Sequence, residues 1–519
     1  MADQLPFGRF TSNKEITVIR TTTDFAKAFR AARRVSTPLI AVRTPDPASS
    51  VQLVLSTLNG ACDETAALQW DAIRGLVGVN EAGKRQASAI LGEADGTSVG
   101  PDAVLAIGEK LSEDSILFLA NAHRFYGDAA VAQGVWNLRD PYKARGCTLV
   151  LLTTSSASLP EELGQDVLVL DEPLPSIGEL ERIVQETAEA AEMSPLSATD
   201  MQRAVDALIG LAAFPAEQVV AMSLSKQGLD AEQLWERKRQ IIEQAPGLKI
   251  WRGGETFEDI GGCENAKSFL RAILAGTDPP RVIVFLDEIE KAFAGTGTDL
   301  SGVKTEMTGT MLTWMQDNEA DGLIFIGPPG AAKSAVAKAT GNTAGIPTIA
   351  FDLGAMQSSL VGGSGERLRS ALKVVDAVSQ GRALFIATCN SIASLPPELR
   401  RRFTLGTFFF DLPSADEREA IWRIYEKRYD VAGERPEDEG WTGAEIKECC
   451  RKAGRLRLPL VRSAQYTVPI SKSAAEQIKS LRQQASGKFI SASSTGVYRY
   501  EETATAPAAT TRRIRSVEA

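Results

Sequence analysis

Short apolar runs recur along the chain at the length of buried strands. Leu39-Ile40-Ala41-Val42, Ser115-Ile116-Leu117-Phe118-Leu119 and Thr148-Leu149-Val150-Leu151-Leu152 lie in the first half. Val282 to Leu286, Gly322 to Ile326, Thr348 to Phe351 and Ala383 to Thr388 lie in the second. Runs this short without polar alternation suit strands covered on both faces, and helical patterns fill the spaces between them. The pattern predicts an α/β fold with two tandem parallel-sheet domains and a small helical lid.

A helical stretch, Ala231 to Gln244, stops at Ala245-Pro246-Gly247 and marks an interdomain boundary. The expected layout is an α/β domain over 1–228, a linker helix over 229–254, a second α/β domain over 255–412 and a helical lid over 413–470, with helices from Ala415 to Tyr429 and Thr442 to Leu456. From Ser471 to 519 the Ser, Ala and Thr content predicts a tail, partly disordered, ending in TATAPAATTRRIRSVEA. The two α/β domains also echo each other. LPEEL at 159–163 precedes a strand ending at Ser176, as LPPEL at 395–399 precedes one ending at Ser414, which suggests tandem copies of one fold.

Composition narrows the function. A chain of 519 residues with 44% hydrophobic and 24% charged content has the make-up of a soluble multidomain protein. No apolar run approaches the ~20 residues of a membrane span. The N-terminus lacks a basic segment followed by an apolar one, so a cytoplasmic location is expected. With a net charge of −9 and dispersed basic residues, a protein partner is favoured over nucleic acid. RKAGRLRLPLVR at 451–462 and Arg512, Arg513 and Arg515 are the basic stretches a DNA-linked role would use. Six cysteines without CxxC spacing and a single histidine, His123, exclude zinc sites and histidine catalysis; Cys449 and Cys450 read as buried thiols.

The chemistry is concentrated at GPPGAAKS, residues 327–334, set between an apolar run and a helical pattern opening at Ala335. In a phosphate-binding loop such as Gly327 to Ala332, backbone N–H groups of Gly327, Gly330, Ala331, Ala332 and the helix start face phosphate oxygens, and Pro328 and Pro329, which have no N–H, belong to the same loop. Lys333 reaches the outer phosphates and the Ser334 hydroxyl ligates Mg2+. Ala332 stands where such loops usually carry glycine, so the chain must accommodate a methyl group. The strand Val282 to Leu286 delivers Asp287 and Glu288 to its C-terminal end, Asp287 to hold Mg2+ and Glu288 to polarise the attacking water. The plainer alternative is that DEIEK only charges a helix start. Asp352 is the rival strand-end acid. Asn390 follows a third strand and can bond the water or terminal phosphate. Arg400, Arg401 and Arg402 either project toward a neighbouring subunit's phosphates or form a solvated basic turn. In the first domain ILFLANA at 116–122 aligns with VIVFLDE at 282–288, placing Asn121 and Ala122 against the two acids. GVNEAGKR at 78–85 mimics a phosphate loop in which Arg85 replaces the metal-binding hydroxyl.

Together, ETFEDIGG at 255–262, GPPGAAKS, VIVFLDEIEKAF, IATCN, the arginine cluster before Phe403 and TGAEI at 442–446 resemble an AAA ATPase over roughly residues 250–460. With the degenerate domain before it, the chain is similar to the tandem AAA proteins of the Ycf type. The resemblance implies ATP and Mg2+ as ligands, with Ile260, Gly261, Gly443 and Ala444 joining the phosphate loop around the nucleotide. It also implies a ring of identical copies, a hexamer, with ATP at subunit boundaries, an unidentified protein client and a pore loop at Leu360 and Val361. AAA domains run phosphate loop, pore-loop strand, acidic strand, sensor strand; here the acidic strand comes first. Because such a site is assembled from strand ends, the usual spatial sheet order with altered connectivity is expected. ATP-driven remodelling of a protein or complex is the function the resemblance implies. A nucleotide-stabilised scaffold and a DNA-linked ATPase such as a helicase loader remain alternatives.

Overall fold

The computed structural model of the chain describes residues 21–58, 64–92, 99–154, 157–225, 228–293, 303–356, 363–391 and 397–500. The chain divides into two compact units, Met1–Ile241 and Ile242–Ala519.

The first unit contains β1 (Leu39–Arg43), β2 (Ala67–Asp71), β3 (Gly75–Gly78), β4 (Ile116–Leu119), β5 (Thr148–Thr153) and β6 (Leu168–Asp171), in the sheet order β3-β2-β4-β5-β1-β6. All pairs are parallel except β2 with β3. Successive residues of a strand face opposite sides. Ile40 and Val42 therefore pack with Phe25, Phe29 and Val54 on one face, while Leu39 and Ala41 join Val104, Val135 and Tyr142 on the other. Beyond the sheet, the helices Ile177–Ala190, Ala198–Leu208 and Ala213–Ala221 build a separate apolar cluster, and a two-residue hairpin, β7 (Leu224–Ser225) with β8 (Gly228–Leu229), follows. The helix Ala231–Glu243, expected as a linker, buries Leu234 in that cluster.

The second unit carries β9 (Leu248–Ile250), β10 (Val282–Leu286), β11 (Asp321–Ile326), β12 (Thr348–Phe351), β13 (Ala383–Cys389), β14 (Gly406–Phe409) and β15 (Ile490–Ser491), ordered β15-β14-β11-β13-β10-β12-β9. β10 precedes β11 along the chain, yet the two sit in one sheet as the neighbours of β13. Helices cover both faces through two apolar clusters. The lid is the pair Ala415–Tyr429 and Gly443–Leu456. Each starts in a reciprocal cap, Ser414 with Glu417 and Thr442 with Glu445, and they enclose Trp422 and Trp441.

Residues 471–500, expected as the beginning of a tail, are built into this unit. The helix Ala475–Ala485 places Leu481 and Ala485 in the core, β15 extends the sheet beside β14, and Phe489 and Tyr498 are buried. Asp411, just after β14, accepts hydrogen bonds from Arg482 Nε (2.7 Å) and Tyr498 Oη (2.6 Å). Composition concealed this segment because its few apolar residues are spaced so that Ile478, Leu481, Ala485, Phe489 and Tyr498 are buried, while Val497 stays exposed. Residues 501–519 lie outside the described residues.

The two sheets share a register. Arg43 of β1 pairs with Thr153 and Asp171, and Ile326 of β11 pairs with Cys389 and Phe409. Leu119 of β4 pairs with Leu151 as Leu286 of β10 does with Ala387. Strand for strand, β6-β1-β5-β4-β2 corresponds to β14-β11-β13-β10-β12. The same spatial arrangement is thus traced in a different chain order.

Candidate functional site

The loop after β11 runs into the helix Lys333–Ala344 at the C-terminal end of the sheet, where open α/β sheets place ligands. Gly327 is required there, since a Cβ would lie 2.0 Å from the Phe410 carbonyl oxygen. Gly330 has φ +81° and Ala332 φ +64°, both left-handed, so Ala332 holds a conformation that glycine adopts without strain. Lys333 is 6% exposed, and its Nζ donates to the carbonyls of Gly327 and Pro328, both at 2.7 Å. Burial lowers its pKa to about 8, against the opposing pull of Glu290, Cys389, Asp287 and Glu288.

The strand-end acids meet this loop. Asp287 Oδ1 accepts from Ser334 Oγ at 2.8 Å and from Thr388 Oγ1 at 2.7 Å. The Glu288 N–H donates to Thr388 Oγ1 at 3.0 Å, its carboxylate accepts from Asn390 Nδ2 at 3.3 Å, and it forms an ion pair with Lys291. Glu288 itself has φ +48°. Asn390 N–H donates to Glu290 Oε1 at 3.0 Å, and Glu290 Oε2 is buried without a partner. Cys389, underneath, is pushed up to about 12 by burial and by Glu290. Lys333, Ser334, Asp287, Glu288 and Asn390 are therefore brought to one place. Sequence reading missed Thr388, Glu290 and Lys291. The register makes Thr388 the residue beside Asp287, but a threonine on an apolar strand gives no signal until β10 and β13 are known to pair.

The remaining expected nucleotide contacts also converge. A Cβ on Gly330 would lie 2.8 Å from Thr442 Oγ1 and 3.2 Å from Ala444 Cβ, so the lid helix that begins with Gly443 and Ala444 abuts the loop. A Cβ on Gly261 would meet Ile421 Cγ1 at 2.6 Å, whereas one on Gly443 would stand 3.5 Å from Ile421 Cδ1. Gly261 and Gly443 thus meet at Ile421 and Ala444 meets the exposed side of the loop, while Ile260, next to Gly261, is buried in the apolar cluster beneath. Asp352, the rival acid, instead accepts from the Ala355 N–H at 3.0 Å within its own turn.

The arginines divide. Arg402 Nη2 donates to Gln316 Oε1 at 2.6 Å, while Arg400 and Arg401 line an open groove. Leu360 and Val361 lie outside the described residues. In the first unit, the register places Ala120 against Asp287 and Asn121 against Glu288, one position earlier than the string alignment that paired Asn121 and Ala122 with the acids. Backbone conformation agrees, with φ +51° at Asn121 and +48° at Glu288. Pairing through the neighbouring strand fixes this correspondence; similar strings allow a slip of one. The counterpart of the phosphate loop is Thr44-Pro45-Asp46-Pro47, where the Asp46 carboxylate caps the helix start by accepting from Ser49 N–H at 3.2 Å. Glu172, bonded by Ser50, faces the same end and is raised by burial. In GVNEAGKR, Lys84 is exposed and paired with Glu81, and Asn80 caps the helix, so this segment is a hairpin running into a helix.

The donor set fits a magnesium nucleotide. A hydroxyl and a carboxylate converge at the mouth of a loop that carries a buried cation at a helix N-terminus. Comparison with known proteins agrees. The chain matches the family described as SpoVK-like AAA ATPase, N-terminal domain, over residues 18–172, and that described as SpoVK-like AAA ATPase, second domain, over 178–245. Over 323–381 it matches the ATPase family associated with various cellular activities (AAA). It is similar to the "Uncharacterized AAA domain-containing protein ycf46" of Guillardia theta, at 22% identity over 89% of this chain and 95% of the relative. The protein of the same description from Gracilaria tenuistipitata var. liui is 25% identical over 65% and 73%.

Proposed function

From the chain's membership of the AAA ATPase family, we propose that it hydrolyses ATP at the site of Lys333, Asp287 and Glu288, and that turnover in a ring of copies remodels a protein or protein complex. The observation that carries the reading is the convergence of Ser334 and Thr388 on Asp287 beside a buried lysine. Structural charge at a helix start would not need a hydroxyl from the phosphate loop.

Lys333, now held by its own loop carbonyls, turns to the outer phosphates when they enter, and its charge is retained there. Ser334 and Asp287 would hold Mg2+, and the chemistry it would supply there is neutralisation of charge on the phosphate oxygens. Thr388 fixes Asp287 and the Glu288 backbone together. Glu288 orients and polarises the attacking water, with Asn390 holding its carboxylate. Arg400 and Arg401 reach a neighbouring copy's phosphates, whereas Arg402 braces its own subunit. Ile260, Gly261, Gly443 and Ala444 enclose the base side, so nucleotide occupancy couples to the lid. The acidic strand is a transposed segment: its altered chain order leaves the spatial order of the site unchanged. The first unit, with Ala120, Asn121 and an acid at its helix start, is a degenerate copy without hydrolysis.

Turnover measured across protein concentration, together with particle size, tests this reading. Hydrolysis rising with assembly supports it. ATP-dependent assembly without turnover would leave a scaffold, and stimulation only by nucleic acid would point to a DNA-linked ATPase. Among the described residues no helix is long and apolar enough to cross a membrane.

A further inference from the structure

A groove of about 520 Å3 opens beside the edge strand β15, lined by Pro397, Arg400, Arg401, Thr407, Lys488 and Phe489 among others. Among the described residues three of its lining side chains are cations and none is a carboxylate. Arg401 and Lys488 are exposed, and Arg400 Nε is buried without a hydrogen-bond partner. Like charges gathered on one wall repel unless an anion lies between them.

The groove stands away from the subunit's own phosphate loop. Thr407 lies near the beginning of β14, which runs parallel to β11 with Gly406 opposite Leu323. The phosphate loop begins after Ile326, so about 10 Å of strand separates the two ends, at roughly 3.3 Å per residue. The cations therefore sit at the N-terminal end of the sheet and its nucleotide at the other. An anion bridging Arg400, Arg401 and Lys488 would have to come from another molecule.

We propose that Lys488, supplied by the segment beyond the lid and sharing the groove with Arg400 and Arg401, is a further phosphate-contacting residue for the triphosphate of a nucleotide bound to a second copy of this chain. The inference rests on the ATPase reading above and adds a residue outside the motifs that carry it. It gives the C-terminal segment a role: β15 and the core residues Phe489 and Tyr498 hold Lys488 in place.

The test uses the full chain. Lys488→Ala, an exposed position, is expected to leave the affinity of dilute protein for a fluorescent ATP analogue unchanged. Turnover of the assembled protein is expected to fall by about 10- to 100-fold, less than loss of a transition-state arginine costs. Lys488→Arg restores turnover. Mixing Lys488→Ala with Glu288→Gln is decisive: Glu288→Gln subunits supply Lys488 to the intact sites of their neighbours, so the mixture should exceed either variant alone. Unchanged turnover in Lys488→Ala, or no gain on mixing, overturns the inference while leaving the ATPase reading in place. Wild-type protein that binds ATP without turnover overturns both.

Discussion

Ser334 Oγ lies 2.8 Å from Asp287 Oδ1, although Asp287 precedes it by 47 residues and belongs to a different strand end. The contact joins the loop after β11 to the acidic strand, so the two side chains proposed to hold Mg2+ are already side by side in the fold. Glu288, one residue on, is held by Asn390 and Lys291 and is not needed to build the loop. Glu288→Gln should therefore keep its ATP affinity and lose about 10²–10⁴-fold in turnover, the range for a positioned general base. Lys333→Ala should lose both. Equilibrium binding and steady-state turnover on the same preparations check this, and full turnover in Glu288→Gln removes that residue from the mechanism.

The Lys333 amine makes nucleotide affinity depend on pH. Burial lowers its pKa from 10.5 to about 8, so the nucleotide-free fold bears the cost of a buried charge below pH 8 and is relieved of it as pH rises from 8 toward 10.5. Phosphates favour the charged form, so binding above pH 8 must take up a proton. Affinity should then fall by up to about tenfold per pH unit above 8. Calorimetry at pH 9 in buffers of different ionisation enthalpy should report close to one proton taken up per ATP. No uptake would mean that Lys333 is already charged.

Ala332 at φ +64° offers a substitution that should improve the fold. An L-residue in the left-handed region costs about 1–2 kcal/mol, and glycine gives back part of that through its freer unfolded chain. Ala332→Gly should stabilise the nucleotide-free protein by up to about 1 kcal/mol, visible as a small rise in the unfolding midpoint of the second unit. A lower midpoint would show that the methyl group makes contacts worth more than the strain.

Gly261 and Gly443 should respond oppositely to alanine. The added carbon at Gly261 would sit 2.6 Å from Ile421 Cγ1 and 2.8 Å from its backbone nitrogen, which forces the lid helix away. That substitution should destabilise by about 1–3 kcal/mol and raise KM for ATP. At Gly443 the nearest atom is 3.5 Å away, an ordinary contact, so Gly443→Ala should fall within about 0.5 kcal/mol of wild type. Unfolding curves and KM for both variants decide it; equal effects would mean that Ile421 does not set the lid position.

The strands were legible because β1, β4, β5, β10, β11, β12 and β13 are apolar runs that the sheet buries on both faces. Glycine, lysine and paired acids at strand ends likewise announced the loop and its partner. What the sequence hid depends on pairing. Thr388 acquires meaning only beside Asp287, and Asn121 aligns with Glu288 only through β5 and β13. Glu290 looked like one more charge on a helix start until its bond to the Asn390 backbone placed it within the site. Composition makes 471–500 resemble a tail because an average ignores where Leu481, Phe489 and Tyr498 land.

The position of β10 has a consequence for synthesis. Its two sheet partners, β12 and β13, both come later in the chain, so Val282-Ile283-Val284-Phe285-Leu286 leaves the ribosome with no strand to receive it. Five consecutive apolar residues with unpaired edges are a hazard for a nascent chain. Until Thr348–Phe351 emerges, this stretch stays exposed to self-association, and a slow passage or a chaperone in that interval would govern the yield of folded protein.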